Sequence, residues 1–160
     1  MDEKAERCRG KAEKKRILIV DDHPIVRMGL TELINNEADL VVCGEAEGAI
    51  EALEVMEKEC VDLAIVDISL DGMTGIQLTE KIKVLYPGLP VLILSMHDEV
   101  LYARRAFRAG ARGYVVKRAV ADNIINAIRD VLGGAIHICV KMTAKIKLAG
   151  FEIDQICQVQ

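Results

Sequence analysis

Acidic, hydroxyl and amino side chains follow the short apolar runs of this 160-residue sequence. Asp21 and Asp22 follow the first run, and Asp67, Ser95 and Lys117 follow three later ones. Three carboxylates in one crevice would repel one another and raise one another's pKa unless a cation lay among them. Oxygen ligands in that number suit Mg²⁺, and a hydroxyl and an ammonium beside them supply donors for an anion. If the fold brings these residues together, they predict a metal-assisted phosphate site.

Each of these side chains has a purely structural alternative when it is taken alone. Asp67 suits the cap of a turn, and Asp22 suits the N-cap of a helix because Pro24 follows it closely. Ser95 suits an ordinary helix start, and Lys117 suits a solvated surface charge. Capping by Asp22 is also compatible with metal binding. The chemical interpretation therefore depends on the elements that position the five residues.

The apolar runs have the length and composition of buried β-strands. They are rich in β-branched residues and apolar at successive positions, as in a parallel sheet that is covered on both faces. The predicted strands are ILIV (17–20), LAIV (63–66), VLIL (91–94) and YVV (114–116), with LVVCGEA (40–46) as a weaker edge strand.

Five segments with helical spacing of apolar residues separate and follow these strands. The positions that carry the spacing are Ile25, Met28, Gly29, Ile34; Ala49, Ala52, Leu53, Met56; Ile76, Leu78, Ile82, Leu85; Val100, Leu101, Ala103, Phe107; and Ile124, Ile125, Ile128, Leu132. Strands that alternate with helices predict a single doubly wound α/β domain with a parallel sheet. In such a sheet the carboxyl ends of the strands share one edge, where the polar residues would converge.

Composition narrows the classes of function. The net charge is −4 and the basic residues are dispersed, which argues against direct nucleic-acid binding. No apolar run approaches the roughly 18 residues of a membrane span, and the first sixteen residues contain no signal-peptide core. The five cysteines are widely spaced with no CxxC pair, which predicts reduced thiols in a cytoplasmic protein and neither a zinc site nor a disulfide framework.

The sequence resembles the receiver domain of two-component response regulators, and in particular its NarL/FixJ (LuxR-like) branch. The matching segments are ILIVDDHPIVRMGL (17–30), DLAIVDISLDGMTGIQLTEKIK (62–83), VLILSMHDEVLYARRAFRAGARGYVVK (91–117) and AIRDVLGGAI (127–136). The resemblance implies a flavodoxin-like (βα)5 fold, with a parallel five-stranded sheet in the order 2-1-3-4-5. It also implies signal transduction, and transcription regulation in the full-length family.

The resemblance assigns roles to the strand-end residues. Asp67 is the implied phosphoacceptor for a phosphoryl group from a sensor histidine kinase. Asp21 and Asp22 are the implied acidic pair that holds Mg²⁺, together with Asp67 and the backbone carbonyl of Ser69.

The remaining implied roles concern the response to phosphorylation. Ser95 is similar to the switch hydroxyl, Tyr114 to the switch aromatic residue, and Lys117 to the lysine that pairs with a phosphoryl oxygen. The implied result is a conformational switch that controls homodimerisation or partner binding. His23 and His97 flank the site, and the preference of Mg²⁺ for oxygen favours exposed rim positions for both.

The chain departs from the family in two places. Asp71 stands where the family commonly has proline, which adds a negative charge near the acceptor. The branch normally continues into a helix-turn-helix domain, and too little chain follows Gly134 to form one.

We therefore expect a mobile charged extension over residues 1–15, a receiver domain over 16–134, and a tail or linker over 135–160 without a complete DNA-binding domain. Within that tail, IHICVKM (136–142) alternates like a strand, while MTAKIKLAG (142–150) has the composition of a short helix.

Two alternative functions fit the residues less well. A phosphatase of the haloacid dehalogenase type also uses an aspartyl phosphate, Mg²⁺ and lysine, but it needs a second acid two residues after the nucleophile. That position is Ser69. A nucleotide-binding α/β domain would carry a glycine-rich loop after its first strand, where this chain has Asp21 and Asp22. We expect a phosphoacceptor signalling domain and no enzyme beyond self-phosphorylation and autodephosphorylation.

Overall fold

Strands and helices alternate along the part of the chain that the computed structural model describes, which comprises residues 14–97 and 100–150 together with Glu3 and Cys8. The strands are β1 Lys15–Val20, β2 Leu40–Ala46, β3 Leu63–Asp67, β4 Val91–Ser95, β5 Gly113–Val116 and β6 His137–Ile138. The helices are α1 Pro24–Asn35, α2 Ala49–Lys58, α3 Gly75–Leu85, α4 Val100–Arg108, α5 Val120–Leu132 and α6 Val140–Leu148, with a 3₁₀ turn at Lys117–Ala119.

The strands form one parallel sheet in the order β2-β1-β3-β4-β5-β6. The predicted parallel α/β fold and the order 2-1-3-4-5 are therefore confirmed. The sixth strand is an addition, since the sequence predicts five. It has two residues, His137 and Ile138, which pair with Gly113 and Tyr114. The alternation over residues 136–142 suggests a strand there, but it does not indicate that this strand pairs with the sheet.

Helices cover both faces of the sheet, and alternate residues of each strand point into two separate cores. Leu18 and Val20 face the core beneath α2, α3, α4 and α6. Ile17 and Ile19 face the core beneath α1 and α5. Because both faces are buried, every position of the central strands has to be apolar. This double burial explains why the strands are readable as continuous apolar runs.

The buried side of α1 differs from the prediction. Ile25 and Met28 are 84% and 70% exposed, whereas Leu30 and Ile34 lie in the core. Apolar residues occur on more than one side of this helix, so spacing alone wrongly assigned Ile25 and Met28 to the core, while Ile34 is buried as predicted. The inward side is set by the strand that α1 packs against.

The segment beyond Gly134 contains both of the structures that its sequence suggests, first β6 and then α6. Met142 and Ile146 of α6 are buried in the same core as Ala103 and Phe107 of α4. The segment therefore extends the core of the domain. Within the described residues, no helix has the length and apolar character needed to cross a membrane.

The cysteines differ from the prediction of reduced thiols. Cys8 and Cys60 form a disulfide across 52 residues of sequence. Spacing along the chain did not reveal this pair, because the fold brings Cys8 to the turn between α2 and β3. Cys43 and Cys139 are free, and burial raises the pKa of the Cys43 thiol to about 11. The predicted 1–15 extension lies mostly outside the described residues, with Lys15 beginning β1.

Candidate functional site

The strand-end residues converge at the carboxyl edge of the sheet. Asp67 and Ser95 are the last residues of β3 and β4, while Asp21 and Lys117 directly follow β1 and β5. These four residues are at most 9% exposed. Charged groups are rarely buried to this extent unless they are paired, so their burial distinguishes them from ordinary caps and surface charges.

Asp21, Asp67 and Ser95 also close the turns that follow them, because the side-chain oxygen of each accepts a hydrogen bond from the backbone N–H two residues later. The three bonds are His23 N–H to Asp21 Oδ1 at 2.8 Å, Ser69 N–H to Asp67 Oδ1 at 3.2 Å, and His97 N–H to Ser95 Oγ at 3.0 Å. The turn-cap interpretation of Asp67 is thus correct for one carboxylate oxygen. Its other oxygen, Oδ2, faces the site.

Lys117 links the two buried carboxylates. Its Nζ lies 2.9 Å from Asp21 Oδ2 and 3.0 Å from Asp67 Oδ2. Burial by itself lowers the pKa of the Lys117 ammonium, but the two carboxylates outweigh burial and the net pKa lies above its ordinary value. Burial raises the pKa of the Asp67 carboxyl, although Lys117 and the Ser69 N–H act in the opposite direction. One ammonium therefore does not fully compensate the buried negative charge.

Asp22 and His23 complete the cluster in a way that the sequence did not predict. The N-cap of α1 is His23, with Pro24 at the start of the helix, so Asp22 does not cap this helix. The Asp22 carboxylate is therefore available to the site. The His23 ring is at the rim, as predicted, with a side chain 56% exposed. Its Nδ1 nevertheless turns inward, 2.9 Å from both Asp21 Oδ1 and Asp22 Oδ1 and 3.2 Å from the Nζ of Lys117.

The donor set fits a divalent cation. One ligand atom from each of Asp21, Asp22, His23 and Asp67 lies within 4.8 Å of the others. Asp21 Oδ2 and Asp22 Oδ1 are buried, and each lies 2.9 Å from a single nitrogen, Lys117 Nζ for Asp21 and His23 Nδ1 for Asp22. Buried carboxylate oxygens with so few polar neighbours suit direct coordination of a hard cation.

A second network joins the end of β4 to β5 through the backbone of His97. Its N–H donates to Ser95 Oγ at 3.0 Å, and its carbonyl oxygen accepts from the Tyr114 hydroxyl at 2.6 Å. The Tyr114 side chain is buried at 1% exposure. The His97 ring stacks on Tyr102 of α4, with 4.4 Å between ring centroids. One loop residue therefore contacts both predicted switch residues and α4.

We expect Tyr114→Phe to lower the free energy of unfolding by about 1 kcal/mol, since it removes the bond to the His97 carbonyl and leaves that oxygen without this donor. Tyr102→Phe is the matched control, because it keeps the stacked ring and removes a hydroxyl that forms no hydrogen bond with Ser95, Met96 or His97, the described residues of the loop. Urea denaturation of both variants measures the difference. Equal stability of the two variants would show that the hydroxyl bond contributes nothing.

Gly75 is a site residue that the sequence analysis did not identify. It begins α3, and its N–H donates to the Ile68 carbonyl at 3.1 Å. A Cβ at this position would overlap the carbonyl oxygen of Asp67 and lie 2.7 Å from Ile68 Cα. The capping-box sequence of Thr74 and Gln77 could have located this helix start. In it, the side-chain oxygen of each residue accepts a hydrogen bond from the backbone N–H of the other. That box fixes the start of α3 directly against the end of β3.

Asp71 lies in the exposed turn after Asp67, next to Gly72, which has a φ of +75°. Solvent screens a charge at this position, so Asp71 adds less to the field at Asp67 than the buried carboxylate of Asp21 does. Ser69 donates its N–H to Asp67, and the role of its carbonyl remains a prediction.

Known proteins share this fold and this sequence pattern. A family model described as the response regulator receiver domain matches residues 17–129. The chain therefore belongs to the response regulator receiver domain family.

Two structures with similar folds come from the same branch, a LuxR-family two-component response regulator from Aurantimonas and the signal receiver domain of NarL from Mycobacterium tuberculosis. The first has a TM-score of 0.82 at 34% identity, over 87% of this chain and 99% of that chain. The second has a TM-score of 0.72 at 31% identity, over 76% and 98%.

Curated relatives support the same branch. The Fimbriae Z protein of Salmonella typhimurium is 38% identical over 118 residues, which are 74% of this chain and 56% of the relative. The oxygen regulatory protein NreC of Staphylococcus carnosus is 35% identical over 132 residues, 82% of this chain and 61% of the relative. The chain thus spans less than two thirds of the length of these relatives. The predicted NarL/LuxR-type receiver domain, a signalling domain, is confirmed, and the phosphatase alternative is not supported.

Proposed function

We propose that Asp67 is the phosphoacceptor of a two-component system and takes its phosphoryl group from a sensor histidine kinase. The observation that carries this proposal is the pairing of Asp67 Oδ2 with the buried Lys117 ammonium at 3.0 Å, beside the carboxylates of Asp21 and Asp22. A carboxylate in this setting has a cation on one side and a set of cation ligands on the other.

The proposed transfer forms a bond between an Asp67 carboxylate oxygen and phosphorus and breaks the bond between phosphorus and the imidazole nitrogen of the phosphohistidine. The imidazole leaves with the bonding electron pair and takes up a proton. Lys117 stays charged because its pKa lies above the ordinary value, and it pairs with an oxygen of the incoming group. Mg²⁺, held by Asp21, Asp22, Asp67 and the Ser69 carbonyl, would offset the remaining phosphoryl charge.

The response to phosphorylation follows from the bonds of Ser95. Its hydroxyl accepts from the His97 N–H, so a rotation toward a phosphoryl oxygen breaks that bond and frees the loop. The carbonyl oxygen of His97 also accepts a hydrogen bond from the Tyr114 hydroxyl, and the His97 ring stacks on Tyr102 of α4. Phosphorylation adds about −1.5 to −2 charge and new acceptor oxygens, which favours the arrangement with Ser95 turned inward. The expected output is homodimerisation or partner binding in the regulation of transcription.

The location and the wider partners belong to the same proposal. A receiver for a kinase phosphoryl group acts in the cytoplasm, and the absence of a clustered basic surface in the sequence argues against direct nucleic-acid contact by this chain. The kinase and the homodimer partner are the expected macromolecular contacts.

Phosphoramidate or acetyl phosphate with Mg²⁺ tests the proposal directly. We expect intact-mass spectrometry to show the addition of one phosphoryl group to the wild-type protein and none to Asp67→Asn. Chelation of the divalent cation should abolish the modification. NMR spectra with beryllofluoride should shift at Ser95, His97 and Tyr114. A folded wild-type protein that remains unmodified with Mg²⁺ present would contradict the proposal, as would equal labelling of Asp67→Asn.

A further inference from the structure

The outer side of α2 carries one apolar and two acidic residues in a line. Ile50 is 76% exposed, and the exposed Glu54 and Glu57 follow it by four and seven residues. Residues at this spacing lie on one side of a helix. The opposite side of α2 is buried through Ala52 and Met56. We call Ile50, Glu54 and Glu57 the acidic stripe.

The outer side of α4 carries the same arrangement with the opposite charge. Leu101 is 50% exposed, and the exposed Arg105 and Arg108 follow it by four and seven residues. Ala103 and Phe107 bury the other side. Ile50 and Leu101 are each the second residue of their helix. We call Leu101, Arg105 and Arg108 the basic stripe, and its three positions match those of the acidic stripe in spacing and order.

No ion pair joins the charged residues of the two stripes to another side chain in the part of the chain that the structure describes. Among residues 14–97 and 100–150, neither Glu54 nor Glu57 forms an ion pair, and neither do Arg105 or Arg108. Exposed carboxylates and guanidiniums without partners are free to pair with a second molecule. Their charge complementarity is the observation that identifies the partner.

The two stripes flank a third helix on one face of the sheet. α2, α3 and α4 all pack on the same core, and α3 lies between the other two. Val84 of α3 is 81% exposed on this face. All three helices run antiparallel to the strands and therefore parallel to one another, since each connects parallel strands by a crossover. The exposed Glu80 and Lys81 lie three to four residues before Val84, so the face is acidic along α2, of mixed charge along α3 and basic along α4.

We propose that this face binds a second copy of the chain about a two-fold axis parallel to α3. Rotation about such an axis places the acidic stripe opposite the basic stripe of the partner, and the basic stripe opposite the partner's acidic stripe. The direction of each helix is kept, so the apolar residues at the helix starts face each other and each glutamate faces an arginine. The α3 helices meet at the axis. An isologous contact of this kind closes at the dimer.

The size of the face predicts the strength of the contact. Three helices of ten residues, spaced about 10 Å apart, cover roughly 15 Å by 30 Å, which is below the area of a standard interface. The dimer should therefore be weak and sensitive to salt, because its ion pairs are exposed. The stripes exist without phosphorylation, so this inference does not rest on the proposed phosphoryl transfer.

Charge reversal tests the contact in unphosphorylated protein. Sedimentation velocity at low salt should show a concentration-dependent dimer of the wild type. Arg105→Glu with Arg108→Glu should weaken it at least about tenfold, and Glu54→Arg with Glu57→Arg should do the same, because each change turns both pairs of facing stripes repulsive. Mixing the two variants should restore a dimer of one copy of each. The chain with all four substitutions should dimerise with itself.

The rescue by mixing separates a contact from a folding defect, since two misfolded variants do not repair each other. Glu32→Arg with Asp122→Arg is the matched control, because it changes the net charge equally on α1 and α5 across the sheet. This control should dimerise like the wild type. A wild type that stays monomeric at low salt, a mixture that fails to associate, or a control that loses the dimer while both stripe variants keep it would each overturn the proposal.

Discussion

Lys117→Met is expected to slow phosphorylation of Asp67 by small phosphodonors by roughly two to three orders of magnitude, the cost of removing one preorganised charge from a transfer site. The same change should lower the free energy of unfolding by about 3 kcal/mol, because it leaves two buried carboxylates without their shared cation. The ammonium lies 2.9 Å from Asp21 and 3.0 Å from Asp67, and its side chain is 7% exposed. Methionine keeps an unbranched side chain that lacks only the terminal ammonium position, so the loss reports on the charge.

Two further variants isolate that effect. Lys81→Met removes an exposed lysine of α3 and should leave both the rate and the stability close to wild type. Asp67→Asn in the Lys117→Met background should recover part of the lost stability, because the amide needs no ammonium partner while the buried Asp21 carboxylate stays without one. The rates come from intact-mass time courses, and the stabilities from urea denaturation without a divalent cation. Additive stability losses in the double variant would contradict a charge pairing between Lys117 and Asp67.

Gly75→Ala is expected to lower the free energy of unfolding by about 3 kcal/mol or more. The added Cβ would overlap the Asp67 carbonyl oxygen and lie 2.7 Å from Ile68 Cα. Both neighbours are backbone atoms of the acceptor strand and its turn, so relief requires moving α3 away from β3. Overpacking of this kind in a buried region costs 1–3 kcal/mol even when side chains can adjust. The displacement should also slow phosphorylation, because the acceptor sits on the backbone that moves.

Gly29→Ala provides the matched control within a helix. A Cβ at Gly29 would meet nothing within 4 Å, so alanine there should be neutral or stabilise the protein by up to about 1 kcal/mol through helix propensity. Circular dichroism during urea denaturation measures both variants. If Gly75→Ala proved as stable as Gly29→Ala, the close approach of α3 to the acceptor strand would be wrong.

The strands and the site were readable from the sequence for the same reason. A parallel sheet buried on both faces forces continuous apolar runs, and its carboxyl edge collects the residue that follows each run. Asp21, Asp67, Ser95 and Lys117 meet there as predicted. The position of each residue directly after an apolar run therefore predicted where its side chain lies, although none of the four residues was informative alone. Their individual roles in phosphoryl transfer and switching remain predictions.

Other features depend on distances that no local pattern encodes. The Cys8–Cys60 disulfide joins residues 52 positions apart, and the pairing of β6 with β5 joins residues 24 positions apart, His137 with Gly113 and Ile138 with Tyr114. The buried side of α1 depends on its packing partner rather than on its own spacing. The contact of the Tyr114 hydroxyl with the His97 carbonyl involves backbone, which leaves no trace in residue type. The inward turn of the His23 ring likewise follows from the surrounding carboxylates.

The core that α4 shares with α6 makes the segment beyond β5 sensitive to events at the carboxyl edge. α4 follows the loop of Ser95 and His97, and Phe107 on α4 lies in one core with Met142 and Ile146 on α6. If phosphorylation repositions α4, it changes the free energy of docking α6. Thermodynamic linkage is reciprocal, so whatever holds or releases α6 must change the stability of the phosphorylated state by the same factor. Under that coupling, a partner that binds α6 would shift the phosphorylation equilibrium of Asp67, in addition to responding to it.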